Sequence, residues 1–293
     1  MDYVFSCVIP THQRPEFLRQ ALCSVLEQTH AAKEIIVVSD VADPVAQQVC
    51  ESVSLEGRDE SLRFIHDPDS GRGASASRNR GAVAAAGEYL AFLDDDDLWQ
   101  PSVLKSVVER FEELSVEMVV VCREIFSGDE SHAAPPMVEG LRPRDVAAAS
   151  LGTTGSKMFI RRDAFDRVGG FDADLPVKND SDFFFRFLLS GGTYAVVEST
   201  LVRQRKHNFG QLTSKNEKRA TGTLMYIEKH REHLKRRDIR KLRLSIHRIR
   251  RSAAGSFWMR QYHLLGALWN YSLQDFIRER KEWDMWHMNE GGR

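Results

Sequence analysis

Hydrophobic and polar positions along the first hundred residues follow two alternating periods. Tyr3–Ile9 is a nearly unbroken apolar run that Pro10 stops, which predicts a short buried strand. From Pro15 to Gln28, Phe17, Leu18, Ala21, Leu22, Val25 and Leu26 recur at three-four spacing, the one-sided pattern of a helix. Glu34–Asp40 reads as a second buried strand that ends on a carboxylate. A helix over Pro44–Val53 and a strand over Arg63–His66 follow. Then come a Gly-rich loop at Ser70–Gly73, an Ala-rich helix to about Ala86 and the strand Tyr89–Leu93. Strands alternating with helices predict an α/β fold, a mixed and mostly parallel sheet flanked by helices on both faces. In such sheets ligands bind beyond the carboxyl ends of the strands. Three of those ends carry polar groups: Thr11, Asp40 and the run Asp94–Asp97.

Beyond Pro101 the pattern is less regular. A helix over Val103–Leu114 leads to a strand at Val119–Arg123 and a loop holding Pro135-Pro136. Strands are expected at Ser156–Arg161 and Tyr194–Val197, with a helix at Ser181–Leu189 between them. After residue 220 the chain reads as helices only. The pattern therefore divides the chain into an α/β body, residues 1–214, and a C-terminal helical extension, residues 215–293.

Composition removes several classes. The chain has 293 residues, 42% hydrophobic and 28% charged, enough for a real core and unlike a disordered chain. No apolar stretch approaches the roughly 18 residues of a membrane span. The start Met1-Asp2-Tyr3-Val4 lacks the basic and apolar regions of a secretory signal, and the expected location is cytoplasmic. Cys7, Cys23, Cys50 and Cys122 form no CxxC pair and read as reduced core thiols. The formal net charge of −1 hides an asymmetry. Residues 1–214 carry 22 Lys+Arg against 33 Asp+Glu, whereas residues 215–251 carry 14 against 4. An acidic body is followed by a basic segment.

The acidic run Asp94-Asp95-Asp96-Asp97 follows a buried strand directly. Four adjacent carboxylates repel one another unless they are solvated or hold a cation. Hard cations such as Mg²⁺ or Mn²⁺ take oxygen ligands, commonly one or two carboxylates with substrate phosphates. The alternative is a solvated turn capping the next helix. Asp40 ends a second strand, where it can accept from a ribose hydroxyl or a base N–H, or bond its own turn before Asp43-Pro44. Gly71–Gly81, with Arg72, Arg78 and Arg80, could bring amides and guanidinium groups to phosphates. It matches neither the P-loop nor GxGxxG. Asp180 and Asp182 precede an apolar helix, where capping explains one carboxylate and leaves the other as a candidate general base. His207 is a candidate ligand or phosphate contact, or a surface histidine.

Together these pieces resemble glycosyltransferase family 2, inverting enzymes of GT-A (Rossmann-like) fold that use nucleotide-sugar donors. The resemblance rests on Val8-Ile9-Pro10-Thr11-His12-Gln13-Arg14, Gln28-Thr29, Glu34–Asp40, Ser77-Arg78-Asn79-Arg80-Gly81, Gly87–Asp97, Val168-Gly169-Gly170-Phe171-Asp172 and Asn179-Asp180-Ser181-Asp182. It spans about residues 3–210 and implies a nucleotide-binding half, 1–100, and an acceptor-binding half, 101–214. It implies a nucleoside pocket at Pro10 and Thr11, with Arg14 on the donor side and Asp40 on the base. Asp94-Asp95-Asp96 matches the family's DxD-type motif, which implies donor contact at Asp95 and a divalent cation, Mn²⁺ or Mg²⁺, on Asp96, with Asp94 and His207 as further ligand candidates. Asp180 matches the base that deprotonates the acceptor, and Arg78 is a further donor contact. The implied partners are a nucleoside-diphosphate sugar, first of all a UDP-sugar, and a glycan or lipid-linked acceptor in polysaccharide assembly. Two positions depart from the pattern: Ser39 stands where the family has an acid, and Asn179 where it has Glu. A nucleotide-sugar-binding scaffold without turnover is the alternative of another class. A nucleotidyltransferase is the other enzyme reading, and it would show a Gly-rich phosphate loop after the first strand.

The basic segment has no helix-turn-helix, finger or RNP motif, so nucleic acid is not an expected partner. Leu234, Ile239, Leu242, Ile246 and Ile249 give it one apolar stripe, suited to a helix laid on the acidic body. The aromatic stretch that follows, Phe257-Trp258-Met259 through Leu264, Leu265, Trp269, Tyr271 and Phe276, makes 224–276 a candidate peripheral contact with the inner face of a membrane. The same aromatics would also serve a homodimer.

Overall fold

A computed structural model describes residues 3–57, 61–66, 73–149, 152–206 and 217–272. The chain divides into two compact units, residues 1–209 and 210–293. In the first, β1 (Phe5–Thr11), α1 (Pro15–Leu26), β2 (Glu34–Ser39), α2 (Pro44–Gly57), β3 (Leu62–His66), α3 (Ala74–Ala84) and β4 (Tyr89–Phe92) alternate as expected. There follow β5 (Leu98–Trp99), α4 (Val103–Glu113), β6 (Met118–Ser127), β7 (Glu130–Ala133), α5 (Pro143–Val146), β8 (Met158–Arg161), α6 (Arg162–Val168), α7 (Asn179–Leu189) and β9 (Tyr194–Arg205).

Among the described residues one mixed sheet runs β3-β2-β1-β4-β8-β6-β9-β5, with β7 added beside β6. β3, β2, β1 and β4 are mutually parallel, and β8 enters antiparallel between β4 and β6. Every residue of β1 and β2 is buried, which is why both read as continuous apolar runs.

Pro10 does not end its strand, which continues to Thr11 opposite Ser39. The Val8 carbonyl accepts from Leu93 N–H at 3.0 Å on the β4 side. Pro10, two residues on, faces the same side after β4 has stopped, so its missing N–H breaks no ladder bond. Ser156 is likewise not in a strand: Gly155–Lys157 form a short 3₁₀ turn before β8. The expected loop at Ser70–Gly73 lies outside the described residues except for Gly73, which opens α3 at φ +79°.

Helices are seated on the sheet by a few specific groups. Gln28, at the end of α1, donates to the Ser24 and Gln100 carbonyls and accepts from Leu104 N–H at the start of α4. Asn79 of α3 exchanges two hydrogen bonds with the Phe171 backbone at 2.7 and 2.8 Å. Phe171 stacks on Phe183 of α7, with ring centroids 4.7 Å apart. Asp182, fully buried, holds Arg186 one turn later at 2.8 Å, and Arg186 donates to the Val168 and Gly170 carbonyls. The second unit contains α8 (Glu217–Lys229), α9 (Arg236–Ala253) and α10 (Phe257–Asn270). No helix among the described residues is long and apolar enough to cross a membrane.

α3 lies close enough on β1 that a Cβ at Gly81 would stand 2.3 Å from Val8 Cγ1. Gly81→Ala therefore loses more to overpacking than it gains in helix propensity, a net of about 1–2 kcal/mol. Urea unfolding checks this, and Val8→Ala in the same chain recovers part of the loss.

Candidate active site

β2, β1 and β4 are neighbours, so their carboxyl ends bring Asp40, Thr11 and Asp94–Asp97 to one edge. The four aspartates do not form a solvated turn. They alternate: Asp95 and Asp97 are buried, whereas 26% of the Asp94 side chain and 15% of Asp96 are exposed. The Ser156 hydroxyl receives Asp94 N–H at 3.1 Å and donates to Asp97 Oδ2 at 2.7 Å. Arg205 N–H gives Asp97 a second bond at 3.1 Å. Burial, then the charges of Asp94 and Asp96, push the Asp97 carboxyl well above its ordinary range.

Asp95 turns back onto β1, accepting from Thr11 Oγ1 at 2.8 Å and lying 3.2 Å from Arg14 Nη1. Burial raises its pKa to about 7, against the lowering effect of Arg14. Arg14 also donates to Asp96 Oδ2 at 2.8 Å. Asp40 is buried and lies 2.5 Å from His12 Nδ1. Helix α2 is capped by Asp43, not by Asp40: Asp43 Oδ1 accepts from Ala46 N–H at 2.9 Å. Gln13, between these groups, sits at φ +53°.

Arg78 of α3 is buried and lies over the Phe171 ring at 5.2 Å. One nitrogen bonds Asp94 Oδ1, and another is 3.7 Å from Asp180 Oδ1. Gly155 lies close against it, so that a Cβ there would stand 2.9 Å from Arg78 Nε. Asp180 is the second residue of α7, two positions after Lys178, whose φ of +65° turns the chain into the helix. Its Oδ1 is buried without a hydrogen-bond partner, while 24% of the side chain is exposed. Burial raises its pKa to about 6; Arg78 opposes the rise and Asp94 adds to it.

Asn179 donates to Ser75 Oγ and, at 2.8 Å, to the Leu175 carbonyl, tying the starts of α7 and α3 together. An ionised Glu has no donor for that carbonyl, so this chain's departure from the family pattern has a structural use. His207 lies outside the described residues.

The oxygens of Asp94, Asp96 and Asp97 come within 4.8 Å of one another. An all-carboxylate set with two half-buried members fits a hard divalent cation. Asp97 is thus a third candidate ligand among the described residues, although Ser156 and Arg205 already bond it. Sequence reasoning missed Asp97, His12 and Ser156. His12 lies inside the quoted first motif, Asp97 inside the acidic run, and nothing local marks Ser156.

The model described as Glycosyl transferase family 2 matches residues 6–169, more than half of the chain. The chain belongs to that family. It is a glycosyltransferase of GT-A fold. It is 26% identical over 282 residues to the putative colanic acid biosynthesis glycosyl transferase WcaA of Escherichia coli (strain K12), covering 94% of this chain and 98% of that one. It is 28% identical over 189 residues to the uncharacterized glycosyltransferase EpsJ of Bacillus subtilis (strain 168), covering 61% of this chain and 54% of that one. Among solved structures it resembles S. aureus TarS 1-349 in complex with UDP-GlcNAc, at TM-score 0.61 and 15% identity, covering 95% of this chain and 92% of that one. It also resembles the mannosyltransferase PcManGT from Pyrobaculum calidifontis in complex with GDP-Man and Mn²⁺, at TM-score 0.61 and 18% identity, covering 93% of this chain and 82% of that one.

In this family member Arg78 holds down the Asp180 pKa, so its removal raises it. For Arg78→Met, titration of carboxyl carbons by NMR gives an Asp180 midpoint about one unit or more above 6. An unchanged midpoint contradicts the coupling.

Proposed function

We propose that this glycosyltransferase is a divalent-cation-dependent, inverting enzyme that moves a sugar from a nucleoside-diphosphate donor to an acceptor hydroxyl. One observation carries the reading: Asp180 presents a buried carboxylate oxygen with no hydrogen-bond partner, across Arg78 from the acidic turn that ends β4. A carboxylate so placed, with a pKa near 6, is ionised at neutral pH and can still take a proton.

The donor's nucleoside lies against Pro10, Thr11 and Asp40, with Asp95 acting through its bonds to Thr11 and Arg14. Asp96 and Asp94 hold the cation, Mn²⁺ or Mg²⁺, which when bound neutralises charge on the leaving diphosphate. Arg14 and Arg78 balance the two outward carboxylates and supply positive charge beside the donor phosphates. Asp180 takes the acceptor's hydroxyl proton as the acceptor oxygen bonds the anomeric carbon. The bond from that carbon to the phosphate oxygen breaks, and its electron pair leaves on the nucleoside diphosphate. Attack opposite the leaving group inverts the anomeric centre in one displacement.

The structural neighbours crystallised with UDP-GlcNAc and with GDP-Man and Mn²⁺ support a nucleotide-sugar donor and a cation. A UDP-sugar is the first to try. The likeness to WcaA, described as a putative colanic acid biosynthesis glycosyl transferase, supports a glycan acceptor in polysaccharide assembly.

Asp180→Asn abolishes transfer, a loss of about a thousandfold or more, while donor affinity by calorimetry stays within twofold of wild type. Unchanged turnover, or lost donor affinity, overturns the assignment. A base with a raised pKa is active above that pKa and lost below it. The wild-type rate therefore falls as pH drops through about 6 and is flat on that account from 7 upward. A rate unchanged between pH 5 and 7 is the contrary result.

A further inference from the structure

The second unit carries a feature that sugar transfer does not use. On α10, Phe257, Trp258, Met259, Tyr262, Leu265, Leu268 and Trp269 are all exposed, Trp258 by 78% and Trp269 by 84%. At 100° per residue these seven occupy one continuous side of the helix. The opposite side, His263, Ala267 and Asn270, is buried. It is held against α9 at close range: His263 Nδ1 is 3.2 Å from His247 Nδ1, and a Cβ at Gly266 would stand 2.2 Å from His247 Cε1. The helix therefore cannot roll its apolar side inward without breaking this contact.

Positive charge borders that side. Arg240 of α9 donates to the Trp269 and Tyr271 carbonyls at 3.3 and 3.4 Å, and Arg248 lies 5.6 Å from the Tyr271 ring. Arg236, Arg237, Arg243 and Arg251 of the same helix are exposed. Within α10 itself the only Lys, Arg, Asp or Glu is Arg260.

We propose that α10, flanked by the arginines of α9, is an interfacial anchor for an anionic lipid bilayer, independently of the chemistry proposed above. Tryptophan and tyrosine favour the boundary between headgroups and acyl chains, leucine and phenylalanine the acyl side, and arginine the anionic headgroups. A helix of 14 residues lies in that boundary and does not span it. A second copy of the chain fits less well. Two-fold pairing through α10 would set two segments of net charge +10 (residues 215–251) side by side, where like charges repel. On α8, Tyr226 and Ile227 are buried, whereas Leu224 and Met225 are each 39% exposed.

The test is flotation of the full chain with vesicles of phosphatidylcholine containing phosphatidylglycerol, and with phosphatidylcholine alone. The chain floats with the anionic vesicles, and raised salt releases it. Trp258→Ser with Trp269→Ser lowers partitioning about tenfold or more at unchanged thermal midpoint, because both rings are exposed in the folded chain. Quenching of wild-type tryptophan fluorescence by brominated anionic lipid gives the same answer without any variant. No flotation, equal flotation with both vesicles, or a double variant that floats like wild type overturns the proposal. So does a wild-type dimer in sedimentation that the double variant dissolves while neither binds vesicles.

Discussion

The Arg78 guanidinium, buried between Asp94 and Asp180, is the interaction on which the rest of the site depends. A buried cation is tolerable only with anions beside it, and buried anions only with a cation. Each of the three groups therefore fixes the other two. Arg78 comes from α3, Asp94 from the end of β4 and Asp180 from the start of α7, so one charge cluster locks three separate segments. The supports around it have the same logic. Gly155 leaves room for the guanidinium, Phe171 offers it a ring face, and Asn79 holds the backbone that carries Phe171.

The same cluster separates two kinds of carboxylate. In the turn after β4, the Thr11 and Ser156 hydroxyls hold Asp95 and Asp97 inward, while Asp94 and Asp96 reach outward to Arg78 and Arg14. At α7 the left-handed Lys178 brings Asp180 to the far side of Arg78 with one oxygen unengaged. In the proposed reaction the first group carries the donor and the second takes the proton, with a fixed positive charge between them.

What was legible in the sequence follows from how each segment is buried. β1, β2 and β4 are covered on both faces and read as apolar runs. β6 and β9 run past the expected Arg123 and Val197 because their later residues, such as Glu124 and Glu198, are polar and only half-buried or exposed. β7 is exposed along its whole length, and β5 is two residues paired with β9, so neither has a pattern to detect. At the site the acidic run announced itself, but its alternation did not, because it depends on Ser156, remote in sequence. The Asp182–Arg186 pair is readable from its spacing of four. The sequence marks Asp180 and Asp182 as a pair, and only family resemblance chooses Asp180, whose distinguishing property is an unpartnered oxygen and not a residue type. Which side of α10 faces outward is decided by His247 and Gly266, and no sequence pattern shows it.

The outward pair at the end of β4 is proposed to hold a nucleotide-sugar donor through a divalent cation. Calorimetric titration of the protein with UDP-GlcNAc and with GDP-Man, each with Mn²⁺ and with EDTA, tests it most directly. The account predicts binding of one of them with Mn²⁺ and at least a tenfold weaker affinity in EDTA. Equal affinity with and without the cation would contradict it.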